Sequence, residues 1–192
     1  KIKKRVLVTS FGSFGAVTSN PSADVIKVVQ HFPAQSCEVL THEMQVVYSE
    51  VMETVPMLWA EQKPDLVVHL GVHPDIRCVR VEQQAFSDGY CRLDADGLVP
   101  VGNKCIDNLD QTLRTSINVK RIVKKTNKLW RELEIECSDN PGRYLLGFAY
   151  YLSLCNDNSK ALAIHIPPLS EKITVPLLSH IVATIIRITL HD

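Results

Sequence analysis

The sequence predicts an α/β fold, a single-domain α/β/α sandwich with a mostly parallel central sheet. Three observations predict it. Short apolar runs of strand length alternate along the chain with longer segments of helical period. Two of those runs, Val67-Val68 and Leu162-Ala163-Ile164, are apolar at successive positions, as in strands covered on both faces. In the last helical segment Leu177, Leu178, Ile181, Ile185 and Ile188 recur at steps of three and four, which gives one face to a core. Strands and helices that alternate in this way require crossovers that lay helices on both faces of the sheet.

The elements follow in chain order. Arg5–Ser10 is a first strand, and Asn20-Pro21-Ser22 then caps and opens a helix over Ser22–Gln30. A strand at Glu38–Val46 and a helix at Ser49–Gln62 come next. The buried strand Leu66–Leu70 runs into Gly71, and an alternating strand, Cys78–Glu82, ends in a carboxylate. Phe86–Ser116 holds Gly89, Gly97, Pro100 and Gly102 and lacks helical period, so it reads as an irregular insertion that could include a small hairpin. A helix at Asn118–Leu129, a strand at Leu133–Cys137, a helix at Arg143–Cys155 and a strand at Ala161–Ile166 complete the alternation. The final helix is Thr174–Leu190, with Pro176 in its first turn, where a missing N–H costs little. With no repeat, low-complexity tract or linker, residues 1–192 read as one domain.

Composition excludes several classes of function. Hydrophobic residues are 45% and charged residues 22%, which is globular rather than disordered. Lys plus Arg and Asp plus Glu are 21 each, so charge gives no reason to expect a nucleic-acid partner. The short basic start Lys1-Ile2-Lys3-Lys4-Arg5 reads as a solvated lead-in. No apolar run is long enough for a membrane helix, and Val6-Leu7-Val8 is too short for the core of a signal peptide. The six cysteines, Cys37, Cys78, Cys91, Cys105, Cys137 and Cys155, are scattered, with no spacing that suggests zinc or a redox pair. Reduced thiols and a cytoplasmic location are the simple expectation, with no metal and no cofactor.

The chemically suggestive residues have ordinary readings when taken alone. Phe11-Gly12-Ser13-Phe14-Gly15 follows the first strand without a phosphate-loop signature, so it reads as a tight turn. His69 reads as a satisfied core histidine and His73 as an exposed loop residue. Gly71 marks a place where backbone could approach a ligand. Glu82 reads as a solvated strand end and His165 as a core or edge histidine. Asn140-Pro141-Gly142-Arg143-Tyr144 leaves a strand and starts a helix, a position that favours a thiolate and offers N–H groups to an oxyanion. Leu146 stands there.

Together these residues resemble the pyroglutamyl peptidase I (pyrrolidone carboxyl peptidase) family of cysteine peptidases. Phe11 and Phe14 match the two phenylalanines that sandwich the pyrrolidone ring in the family, although Ser10 and Ser13 depart from its usual Gly and Pro. His69-Leu70-Gly71 matches the strand whose following backbone contributes to substrate binding. Glu82 matches the triad carboxylate, with Ser87 where Asn is usual. Gly89-Tyr90 and Leu93-Asp94 resemble the animal members, as does His165-Ile166-Pro167-Pro168-Leu169 at the catalytic histidine. Animal members read close to Gly-Arg-Tyr-Leu-Cys-Asp-Phe-Thr-Tyr-Tyr, where this chain has Gly142-Arg143-Tyr144-Leu145-Leu146-Gly147-Phe148-Ala149-Tyr150-Tyr151. Matches on both sides fix the register, so Leu146 occupies the nucleophile position.

The resemblance implies removal of N-terminal pyroglutamate from peptides, with Glu82 and His165 as catalytic partners and Phe11, Phe14 and Gly71 at the substrate. A leucine cannot attack a carbonyl, so the expectation is an impaired homologue that retains a pocket for pyroglutamyl peptides or a small cyclic amide. An active peptidase with another nucleophile and a non-catalytic scaffold are the two alternatives. Cys155 lies nine residues beyond Leu146, on the opposite side of a helix at about 100° per residue, and Cys137 lies before the loop. Neither is expected to substitute. Ser138 and Ser153 have no evident placement beside His165, and the sequence leaves the oligomeric state open.

Overall fold

The computed structural model describes residues 3–14, 20–32, 37–107 and 110–191. Lys1 and Ile2 of the basic start, and Gly15 of the turn after the first strand, lie outside the described residues. The elements are β1 (Lys4–Phe11), α1 (Pro21–Val29), β2 (Cys37–Met44), α2 (Tyr48–Gln62), β3 (Leu66–Val72), β4 (Val79–Glu82), β5 (Gln84–Phe86), β6 (Thr112–Arg114), α3 (Val119–Leu129), β7 (Ile135–Ser138), α4 (Leu145–Asn156), β8 (Ala161–Ile166) and α5 (Val175–His191).

The main sheet has the order β2-β1-β3-β8-β4-β7. Every adjacent pair is parallel except β4 with β8, so β4 and β7 run against the other strands. The fold is the expected α/β/α sandwich. Alternation along the strands sorts the two faces. Val6, Val8, Val68 and Leu70 join the core beneath α1, α3 and α5. Leu7, Val67, Ala161 and Ala163 join the core beneath α2 and α4.

The insertion is bracketed by the antiparallel pair β5–β6, with Gln84 opposite Arg114. The described part between them has a single 3-10 turn at Val101–Asn103 and a bridge between Asp88 and Lys104. The expected irregular segment with a small hairpin is therefore present, but its strands stand at its two ends. The helix expected to start at Arg143 starts at Leu145 instead. Gly142 takes φ +70°, and Tyr144 stays extended as the residue before the helix. Leu146 is thus in the first turn of α4.

His69 behaves as a core histidine. It is 1% exposed, with Nδ1 2.6 Å from the Thr9 hydroxyl and Nε2 2.6 Å from the Ser153 hydroxyl. The Trp59 indole N–H also donates to Ser153, at 2.9 Å. One imidazole therefore ties β1, β3, α2 and α4 together, and Ser153 is committed to that tie. Burial pushes the His69 pKa down from 6.5 to about 3. Between those values the unfolded chain binds a proton that the folded chain refuses, so this group lowers stability as pH falls from about 6.5 toward 3. The slope is up to ~1.4 kcal/mol per pH unit. Urea titrations across this range should show that decline in the parent and a shallower one in a folded His69→Asn variant. Parallel curves for the two proteins would remove His69 as the cause.

Candidate active site

Glu82 is the last residue of β4, and His165 lies near the end of β8. In the antiparallel pairing of these strands Arg80 stands opposite His165 and Glu82 opposite Ala163. Glu82 and His165 are thus diagonal neighbours on one face, a separation that long side chains span. The small Ala163 leaves room between them. The Nδ1 N–H of His165 donates to Glu82 Oε1 at 2.9 Å, with the carboxylate fully buried and His165 6% exposed. Glu82 Oε2 is buried with no partner among the described residues. The Tyr150 hydroxyl donates to the Glu82 carbonyl at 2.9 Å, so α4 also holds the end of β4.

Leu146 lies over the same face. Gly71 of β3 stands beside His165 in register, and a Cβ built on Gly71 would lie 3.4 Å from Leu146 Cβ and Cδ1. Gly71 is therefore where the start of α4 comes down onto the sheet. Leu146 thus lies over the strand next to that of His165. Gly147, next along, is needed for the turn: a Cβ there would meet the Gly142 carbonyl oxygen at 2.7 Å.

The insertion braces this helix start. The Arg143 Nε–H donates to the Asp88 carbonyl at 3.0 Å, and its guanidinium lies 4.1 Å from the centre of the Phe86 ring. The Tyr144 hydroxyl donates to the Leu93 carbonyl at 2.9 Å, and the Arg92 guanidinium sits 4.1 Å over the Tyr144 ring. No side chain caps α4, which leaves first-turn N–H groups available to an acceptor at the helix N-terminus.

Phe11 and Phe14 occupy the same side of the sheet. Phe11 is buried within the core beneath α2 and α4, and Phe14 is half-buried against it. The Phe14 ring is 6.4 Å from Tyr144, which links it to the start of α4. Gly12 donates its N–H to the Met44 carbonyl at 2.9 Å, and Asn20 caps α1 while its amide donates to the Gly12 carbonyl at 3.1 Å. The capped helix expected from the sequence is present. Ser10 ends up with a buried hydroxyl that has no partner among the described residues.

Five of the six thiols are shifted away from nucleophilic reactivity. Burial raises the pKa of Cys37, Cys78, Cys137 and Cys105, and pushes Cys155 up to about 11. A reactive cysteine requires the opposite shift. The Ser138 hydroxyl donates to the Asn140 carbonyl, and Ser153 belongs to His69. Among the described residues no group of His, Cys, Asp and Glu could hold a metal ion, and no helix is long and apolar enough to cross a membrane.

His73 corrects the reading of it as an exposed loop residue. It is half-buried, and its ring packs edge-on against His165 with centroids 5.3 Å apart. The sequence carried no sign of this, since nothing local says that the loop after β3 turns toward the end of β8.

Comparison with known proteins places these residues in context. A family model described as "Putative pyroglutamyl peptidase PgaPase_1" matches residues 2–170. The chain is 29% identical over 186 residues to human pyroglutamyl-peptidase 1, covering 96% of this chain and 89% of that protein. It is 26% identical over 175 residues to the pyrrolidone-carboxylate peptidase of Pyrococcus furiosus, covering 88% and 83%. The crystal structure of Bacillus amyloliquefaciens pyroglutamyl peptidase I superposes with a TM-score of 0.89 over 99% of this chain and 98% of that one. Identity to it is 18%, so this last likeness speaks for the fold alone.

Proposed function

This chain belongs to the pyroglutamyl-peptidase I family, and from that premise we propose that it is a catalytically impaired, animal-type member that keeps a pocket for N-terminal pyroglutamyl peptides or a small cyclic amide. The observation that carries the reading is Leu146, packed on Gly71 beside the Glu82–His165 pair. In this reading Glu82 orients His165, and His165 is a base with no thiol to act on. Phe11, Phe14 and Gly71 form the pocket. Residues 1–192 act as one unit in the cytosol, which the six free cysteines favour.

The chemistry of an intact site sets the scale of the impairment. A thiolate at the start of α4 would attack the carbonyl that follows the pyroglutamyl ring, and first-turn N–H groups would hold the oxyanion. Collapse of the intermediate would break the C–N bond and release the peptide amine with a proton from His165, and water deprotonated by His165 would then hydrolyse the thioester. Loss of the nucleophile from such a unit costs about a million-fold in turnover. The chain should therefore hydrolyse a pyroglutamyl reporter no faster than a heat-killed control, yet bind a pyroglutamyl peptide in calorimetry. Turnover that survives replacement of Cys137 and Cys155 would defeat the thiol-based reading. Absent binding would favour a scaffold.

A further inference from the structure

We propose that His73 is a positioning residue for His165: its imidazole packs edge-on against the His165 ring and holds that ring in the orientation that serves Glu82. The proposal rests on the pyroglutamyl-peptidase reading of Glu82 and His165 and adds a third side chain to their arrangement.

Three contacts fix the geometry. The His73 backbone N–H donates to the Ile166 carbonyl at 3.0 Å, which extends the β3–β8 pairing and anchors His73 beside the residue after His165. The two rings meet at 5.3 Å with an interplanar angle of 82°. The Asp75 backbone N–H donates to His73 Nδ1 at 3.2 Å.

These contacts assign complementary tautomers. A backbone N–H only donates, so His73 Nδ1 accepts, and the neutral ring carries its proton on Nε2. The carboxylate of Glu82 accepts, so His165 Nδ1 carries the proton and Nε2 keeps a lone pair. The two rings thus differ in the nitrogen that can donate, and the donor of His73 belongs to the ring packed against His165.

Charge reinforces the arrangement. His73 is faced by His165 of β8, by Arg80 and Glu82 of β4, and by Asp75 of its own loop. Burial first, then His165 and Arg80, hold its pKa below the ordinary 6.5, against Asp75 and Glu82. The neutral, Nε2-protonated ring of His73 therefore persists to lower pH than in a free imidazole.

Long-range nitrogen–proton NMR of the imidazoles in the full chain, followed across pH, tests this without any turnover. The neutral rings should report Nε2–H for His73 and Nδ1–H for His165. In a folded His73→Ala variant the His165 ring should lose its single orientation and report mixed tautomers. His73→Phe, which keeps a ring packed against His165, should restore the single Nδ1–H tautomer. An unchanged His165 in His73→Ala, or a neutral His73 carrying its proton on Nδ1, overturns the proposal. A Phe variant that mixes tautomers as Ala does overturns the packing role. If the parent chain fails to bind a pyroglutamyl peptide, the reading of the pocket fails while these spectra still decide the role of His73.

Discussion

On the proposed reading, Leu146→Cys should confer hydrolysis of a pyroglutamyl reporter that the parent chain is expected to lack. The expected gain is several orders of magnitude, because the missing nucleophile accounts for about a million-fold. The partner side chains already stand in place. His165 is paired with Glu82 at 2.9 Å, and position 146 lies over Gly71, the register neighbour of His165. A thiol in the first turn of α4 would also benefit from the helix N-terminus, which lowers cysteine pKa values. Recovery should nevertheless be partial. Leucine is larger than cysteine, and its methyl groups pack against Gly71, so the variant leaves a small void and a helix start free to settle differently. A misplacement of about 1 Å costs around a hundredfold. Burst and steady-state hydrolysis should be compared between Leu146→Cys and Leu146→Cys/His165→Ala, with the second inactive. A folded Leu146→Cys protein that is neither acylated nor active would show that the pocket has diverged beyond the nucleophile, and the scaffold alternative would then be preferred.

The second large effect concerns stability. His165→Ala should destabilise the fold by about 3 kcal/mol or more, in the range for leaving a buried charge without its partner. Glu82 is fully buried, and His165 is the only described side chain that donates to its carboxylate. Removal of the imidazole strands a carboxylate beneath α4, where water cannot replace the lost donor without opening the site. The measurement is urea unfolding at neutral pH for the parent, His165→Ala, and His165→Ala/Glu82→Gln. The double variant should recover part of the loss, because an amide costs less to bury than a charge. A single variant within 1 kcal/mol of the parent would mean that the pair contributes little to folding.

The same residues separate what was legible along the chain from what was not. Strand and helix periods gave the architecture because burial on a sheet face repeats every second residue and on a helix every third or fourth. Cys78–Glu82 and Ala161–Ile166 were readable in this way, the second with its observed bounds. The N-terminal limit of α4 was not. It depends on Gly142 adopting a positive φ and on Arg143 and Tyr144 being held by Asp88 and Leu93 of the insertion, contacts that span more than fifty residues.

The sequence by itself determined the chemistry that is possible at the start of α4. Leu146 has no group that ionises, and no folding can supply one. It also determined that Glu82 and His165 end two strands. Only the tertiary structure decided which histidine serves which partner. His69, His73 and His165 are equivalent as imidazoles, yet one is consumed by Thr9 and Ser153, one packs on its neighbour, and one meets Glu82. That choice follows from strand order, with β8 set between β3 and β4. Strand order is fixed by the cooperative burial of two helical layers, a property of the whole sheet that no local run of residues carries.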